Sequence, residues 1–266
     1  MPDQSAARLR ATVHYDGTAF SGWQLQPEER TVQGVLEETL ARLLTVPTRV
    51  TAAGRTDTGV HAAGQEIALD VAPHWTAADL QRGLNALTPD DIWIEQVSRT
   101  REDFHPRYDA VLRRYEYVIG TQPDAASPLR SGRIWPLCRD VDVDLLADCT
   151  RHIPGERSFG RFAKSGQPER GTRCRVEEAG WRRTAAGDLV FTIVADRFLH
   201  RMVRYLVGTL IEIGTGRRAA AELNQLLDED PLARPPSPAP PNGLYLTGVC
   251  YPEGWNRPPG IPGLPL

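Results

Sequence analysis

Lysine is almost missing from this 266-residue chain: Lys164 stands alone among 31 basic residues, so its cationic chemistry is that of arginine. Arginine makes bidentate contacts to phosphate and stacks on flat rings; the same skew also follows from genome base composition. Cysteine is sparse as well. Cys138, Cys149, Cys174 and Cys250 have no paired spacing, which excludes a disulfide framework or a Cys-rich zinc module. Reduced thiols in a cytoplasm are the expected state. No apolar run approaches the length that spans a bilayer, so no membrane partner is expected. Met1-Pro2-Asp3-Gln4-Ser5 lacks the basic and apolar regions of a secretory signal. Positive charge is not in excess either: the net charge of −3 excludes a protein coated in cations but not local basic patches for nucleic acid. What is present is ordinary for a globular protein, 41% hydrophobic and 24% charged residues. The length suits one large domain or two of common size.

Hydrophobic periodicity divides the chain into two α+β halves. Leu9, Ala11, Val13 and Tyr15 alternate as one side of a strand, and Val32, Val35, Leu36, Leu40, Leu43 and Leu44 follow at helical spacing. Strands are expected around 49–53 and 65–71, then a helix capped by Thr76 and running to Leu87, then a strand over 91–97. Strand, helix, strand, strand, helix, strand is the split βαβ, ferredoxin-like order, which gives an antiparallel sheet with helices on one face. The second half opens with a Tyr- and Val-rich strand over 114–119 and a polar helix over 143–152. Strands at 176–183 and 189–195 flank a turn at Ala186-Gly187-Asp188. A long helix over 199–213 ends at Gly214 and Gly216, and a shorter one covers 219–227. After the Pro-rich loop 234–241, residues 243–251 form a closing strand. The expected organisation is therefore 1–105, 106–251 and an irregular Pro- and Gly-rich tail, 252–266, with no sequence repeat between the halves.

Chemistry concentrates in Ala53-Gly54-Arg55-Thr56-Asp57-Thr58-Gly59-Val60-His61-Ala62. Glycines let the backbone leave the preceding strand through angles closed to other residues, placing the Asp57 carboxylate at a strand end. A turn aspartate bonded to its own backbone is the competing reading. Near the N-terminus, Trp23 has the shape to stack on a base and Gln24 to read a polar edge, or the two plug a core and bond a loop. On the strand after Phe104-His105-Pro106-Arg107-Tyr108, Tyr115 and Tyr117 share one face and Arg114 and Glu116 the other. They form either a core aromatic pair or a pair with one ring turned into a cleft. Arg197, Arg201 and Arg204, spaced i, i+4, i+7, are expected to line one helical face. Arg204 borders the apolar stripe, and a semi-buried arginine needs an anionic partner, for which Asp57 is a candidate. His61 and His200 lack the third residue that would complete a metal site.

Gly54-Arg55-Thr56-Asp57 followed by Gly59-Val60-His61-Ala62 resembles the signature of the TruA family of tRNA pseudouridine synthases. Other family blocks recur in order: Tyr15-Asp16-Gly17 with Gly22-Trp23-Gln24, Val32-Gln33, Asp103-Phe104-His105, Arg113-Arg114-Tyr115 with Tyr117, Phe198-Leu199-His200 with Met202-Val203-Arg204, and Gly243-Leu244-Tyr245-Leu246. Several blocks in one order, spanning roughly 12–251, are far more specific than any one motif. The resemblance implies two ferredoxin-like halves forming one extended, mostly antiparallel sheet with helices packed on it. It implies isomerisation of uridine to pseudouridine in the anticodon stem-loop of tRNA, typically at tRNA positions 38, 39 and 40, by a homodimer that needs neither cofactor nor metal. By motif, Asp57 would be the catalytic aspartate, attacking the substrate or abstracting a ribose proton. An ion pair with Arg204 would favour its ionised form. Tyr115 would stack on the target uracil, and Arg55 would fill the space left by the flipped base. Arg113, Arg197, His200 and Arg201, with His61, Trp23 and Gln24, are the expected RNA contacts. Thr58, Pro106 and Tyr205 depart from the family pattern without removing a group the chemistry requires. The alternative is a non-catalytic RNA-binding or tRNA-folding protein on the same fold. A glycosidic hydrolase is less consistent, since no second carboxylate accompanies Asp57.

Overall fold

The computed structural model describes residues 6–164 and 171–257, which form a mixed α+β protein with mostly antiparallel strand pairing. The described residues divide into two compact units, 6–111 with 246–257, and 112–164 with 171–245.

The first unit contains β1 (Ala7–Tyr15), α1 (Val32–Leu44), β2 (Thr51–Ala52), β3 (His61–Val71), α2 (Ala77–Leu87) and β4 (Ile92–Arg99). β1 lies between β3 and β4 and is antiparallel to both, with Leu9 opposite Leu69 and Arg99. β2 adds antiparallel to β3, so the order β4-β1-β3-β2 is that of a split βαβ unit. Alternation explains the core: Leu9, Ala11, Val13 and Tyr15 are buried, as are Leu36 and Leu40 of α1 and Leu80 and Leu84 of α2. Each helix starts where a threonine can accept the first orphan amide. Thr31 accepts from Gly34 at 3.2 Å and Thr76 from Asp79 at 3.1 Å. β3 begins at His61, four residues before the expected start at Gln65, because the Tyr15–Ala62 pairing extends the ladder through small residues.

The second unit holds β5 (Leu112–Gly120), β6 (Trp135–Pro136), α3 (Val143–Thr150), β7 (Gly155–Ser158), β8 (Arg173–Arg183), β9 (Leu189–Ala195), α4 (Met202–Gly214) and α5 (Ala221–Leu227). Its strand order is β5-β9-β8-β7, all antiparallel, with β6 parallel to β5. The short strands β6 and β7 carry no alternating apolar pattern, and periodicity did not mark them. β10 (Leu244–Tyr251) starts in this unit and continues into the first, where it lies beside β3.

Two expectations need correcting. α4 starts at Met202 rather than 199, because Arg201 adopts a left-handed backbone (φ 65°) at its N-cap. Arg197, Arg201 and Arg204 therefore do not form a helical stripe; only Arg204 lies within the helix. The tail is ordered where it is described: β11 (Gly254–Trp255) pairs with β10, and the Asn256 amide binds the Val249 N–H and the Gly64 carbonyl. Residues 258–266, expected to be irregular, lie outside the described residues. Among those residues no helix is long and apolar enough to cross a membrane.

Candidate active site

The chain leaves β2 at Ala53, runs through the Asp57 loop and re-enters the sheet at His61. A loop bearing a reactive carboxylate needs its backbone groups satisfied by something other than a strand ladder. Here side chains and neighbouring loops do that work. The buried Gln65 amide brackets Gly54, donating to its carbonyl at 2.8 Å and accepting from its N–H at 3.4 Å. Tyr15 Oη and Thr56 Oγ1 are 2.8 Å apart, and the Thr56 carbonyl accepts the Trp23 N–H at 3.1 Å. The Val60 N–H closes a turn onto the Asp57 carbonyl at 3.1 Å, with Gly59 between them at φ 75°. Gly22, at φ 92°, packs so closely that a Cβ would lie 2.8 Å from the Thr56 carbonyl oxygen and 3.2 Å from the Asp57 carbonyl carbon. Asp57 itself is half-buried, flanked by the exposed Arg55 and Thr58. A partly accessible carboxylate on a loop with a braced backbone can meet a solvent-borne substrate.

The aromatic and amide groups near this loop serve as its supports. Trp23 is 2% exposed, its ring 6.0 Å from that of Tyr15, so the loop rests on it and no ring face is open for stacking. The Gln24 amide donates to Gln33 Oε1 at 2.9 Å. His61 is buried, and its Nδ1 accepts the Gly17 N–H at 3.0 Å. That bond makes Nδ1 the unprotonated nitrogen, although Asp16 Oδ1 also lies 3.3 Å from it; the shorter, directional N–H contact decides. Gln65 is the residue that sequence reasoning passed over. An amide amid the apolar residues of a strand was the available signal.

The second unit carries the other expected residues. Tyr115 and Tyr117 share a face of β5 as their spacing requires, but the structure gives them different surroundings. Tyr117 is fully buried and donates to the Pro240 carbonyl at 2.7 Å. Burial pushes its phenol well above the usual range, against the opposing charge of Arg204, so it stays a neutral donor. Tyr115 is half-buried, with Phe198 edge-on at 4.9 Å between centroids. Arg204 and Ala239 are joined twice: the guanidinium Nε donates to the Ala239 carbonyl at 2.8 Å, and the Arg204 carbonyl accepts the Ala239 N–H at 2.9 Å. The Pro-rich loop is thereby strapped to α4, which also fixes the direction of the guanidinium. Arg113 donates to the Asp196 carbonyl at 2.8 Å and Arg197 to that of Gly171 at 3.3 Å. His200 is exposed and Arg201 half-buried at the head of α4. Among the described residues no group of three or more His, Cys, Asp or Glu side chains could hold a metal ion.

A family model described as tRNA pseudouridine synthase matches residues 11–109 and 150–252. A relative named tRNA pseudouridine synthase A, from Solidesulfovibrio magneticus, is 38% identical over 97% of this chain and 94% of its own length. Proteins of the same name from Chlorobium luteolum and Porphyromonas gingivalis are 38% and 36% identical, each over 93% of this chain and over 96% and 98% of their own lengths. A chain in a crystal structure of a Cbf5–Nop10–Gar1 complex aligns at a TM-score of 0.35 and 12% identity over 77% of this chain and 54% of its own, too remote to inform the site.

Proposed function

The chain belongs to the tRNA pseudouridine synthase family, and from that premise we propose where it acts and which residues serve the reaction. It is an enzyme that isomerises uridine to pseudouridine in tRNA. The substrate region is the anticodon stem-loop. Asp57 is the catalytic carboxylate, and the observation that carries this reading is its half-buried position on a loop braced by Gln65, Tyr15 and Trp23. Precise placement of a reacting group is where an enzyme of this kind gains most, since no atoms are added or lost overall.

The reaction breaks the bond between uracil N1 and ribose C1′, turns the base, and joins C5 to C1′. The proton leaves C5 and N1 ends protonated, so the product is an isomer. Asp57 acts at the ribose of the detached base. Tyr115, steadied by Phe198, stacks on the uracil while it turns. Arg204 supplies fixed positive charge, its orientation set by the Ala239 carbonyl. The target base must leave its helical stack first, at a cost of a few kcal/mol. Arg55, exposed beside Asp57, fills the vacated space. Phosphate contacts from Arg113, Arg197 and Arg201 offset part of that cost. The enzyme works as a cytoplasmic homodimer, which light scattering of the purified protein checks.

The test is Asp57→Asn, which keeps the size of the side chain and removes its charge. Pseudouridine formation on an anticodon stem-loop substrate is expected to fall at least a thousandfold, while tRNA affinity changes less than about threefold. Near-normal turnover by this variant would remove Asp57 from the mechanism. Modification of tRNA outside the anticodon arm alone would overturn the substrate region.

A further inference from the structure

Tyr108 is 68% exposed, yet its surroundings are rigid. Its ring stacks on that of His105, with centroids 4.2 Å apart and planes inclined by 35°, and the Arg107 guanidinium lies 5.8 Å from its centroid. The His105 ring is fixed in turn. Its Nδ1 accepts the backbone N–H groups of Arg107 (3.2 Å) and Tyr108 (3.3 Å), and its own backbone N–H donates to Asp109 Oδ2 at 2.9 Å. Below this pair the segment is anchored at three points. Phe104 is buried in a cluster with Ala53, Val249 and Tyr251, the Tyr251 hydroxyl donates to the Pro106 carbonyl at 2.9 Å, and the Val111 N–H donates to the Cys250 carbonyl at 2.8 Å.

A rigid loop gains no stability from holding a tyrosine ring in water, so the exposed face suggests a ligand. A protein partner would call for a contiguous apolar patch. Here the ring instead has the Arg107 guanidinium over it, and the segment leading to it carries exposed polar residues, Arg101, Glu102 and Asp103. Arg101 pairs with Asp103 at 2.8 Å and also with Asp109, which offsets the local negative charge. A flat aromatic face beside a guanidinium is the surface on which an unpaired base stacks without regard to its identity. The position also fits. Ala53, in the cluster under Phe104, is where the chain enters the Asp57 loop, and four residues span at most about 14 Å.

We propose that Tyr108, supported by His105 and flanked by Arg107, is a stacking platform for an unpaired tRNA base other than the target uridine. The inference rests on the tRNA substrate proposed above and adds a second point of grip on it. Three full-length variants test it. Tyr108→Ala is expected to raise both Kd and KM for tRNA about 5- to 150-fold, the range produced by losing one base–aromatic stack, with kcat and the unfolding midpoint unchanged. Tyr108→Phe should restore affinity, since stacking needs the ring and not the hydroxyl. Tyr108→Trp should bind tRNA, and its added fluorescence should be quenched by tRNA but not by a blunt RNA duplex of equal charge. Wild-type affinity in Tyr108→Ala, failure of Tyr108→Phe to rescue, or equal quenching by the duplex would each overturn the platform. If the wild-type enzyme itself formed no pseudouridine in tRNA, the substrate reading would fall instead, a result separable from normal turnover with a silent Tyr108.

Discussion

Glu66 shows how one buried acid sets a pH dependence for the fold. It sits on β3 at 2% exposure, opposite Thr12, whose hydroxyl is 3.5 Å from its carboxylate. Burial pushes its pKa from the ordinary 4.5 up to about 7; Arg10 and the hydrogen bonds from Asn256 and Thr12 oppose that rise, and Glu253 adds to it. The folded state therefore holds this proton more tightly than the unfolded chain does. Its contribution to stability is complete below pH 4.5 and is lost as pH rises toward 7, by an amount on the order of 3 kcal/mol. Glu66→Gln keeps the shape and has no charge to desolvate. Urea unfolding at several values between pH 4.5 and 8 should show the variant gaining on the wild type as pH rises. Parallel curves for the two proteins would mean that Glu66 titrates alike in the folded and unfolded chain. At this scale the glycine frame made the loop position of Asp57 legible, but nothing in the sequence marked the burial of Glu66 or Gln65. Both lie in a strand whose burial depends on what covers its second face.

Elements followed the periodic pattern wherever one face alone was buried. α1 occupies Val32–Leu44 and α2 runs from its Thr76 cap to Leu87, both as spacing and caps required. The pattern failed where backbone conformation intervened. Nothing in Arg201 announces its left-handed φ, and that angle removes a turn from α4 and separates three arginines expected on one face. Loops depend on the same local geometry, which Gly22→Ala tests directly. The added Cβ would press on the Thr56 and Asp57 backbone from a residue already at φ 92°. A loss of about 1–3 kcal/mol in stability is expected, and, if the proposed role of Asp57 holds, kcat should fall at least tenfold because its loop must shift. Gly180→Ala, a strand position with open space around it, is the control and should leave both unchanged. Equal activity in the two variants would show that the Gly22 contact does not position Asp57.

Across the whole molecule, the arginine-rich composition serves two ends. Many guanidiniums are consumed by the fold. Arg30 grips Asp91 through two bonds, of 2.8 and 3.0 Å, and stacks over Phe20 at 4.0 Å. Arg130 holds the buried Asp188 through contacts of 2.6 and 2.8 Å. The nearly inaccessible Arg218 binds Glu212, Glu222 and the carbonyls of Arg234 and Pro235, fastening one end of the Pro-rich loop. The remainder must suffice for a polyanion on a chain of net charge −3. Binding through local phosphate contacts implies a steep salt dependence, and tRNA affinity is expected to fall at least tenfold between roughly 50 and 200 mM salt. An affinity indifferent to salt would show that these arginines do not hold the RNA backbone.

The sequence by itself determined the α+β class, most strands and helices, and the family, because spacing, caps and ordered motif blocks are local properties. The glycine frame by itself left Asp57 open between a turn residue and a catalyst, and only the resemblance of the ordered blocks pointed to it as the candidate carboxylate. Only the tertiary structure decided which side chains brace that loop and which meet solvent. Trp23 and His61 became supports, Tyr117 a core donor, and Tyr108 an exposed ring on a pinned segment. Those assignments depend on burial and on partners distant in the chain, such as Tyr251 beneath Pro106, and no local pattern encodes them.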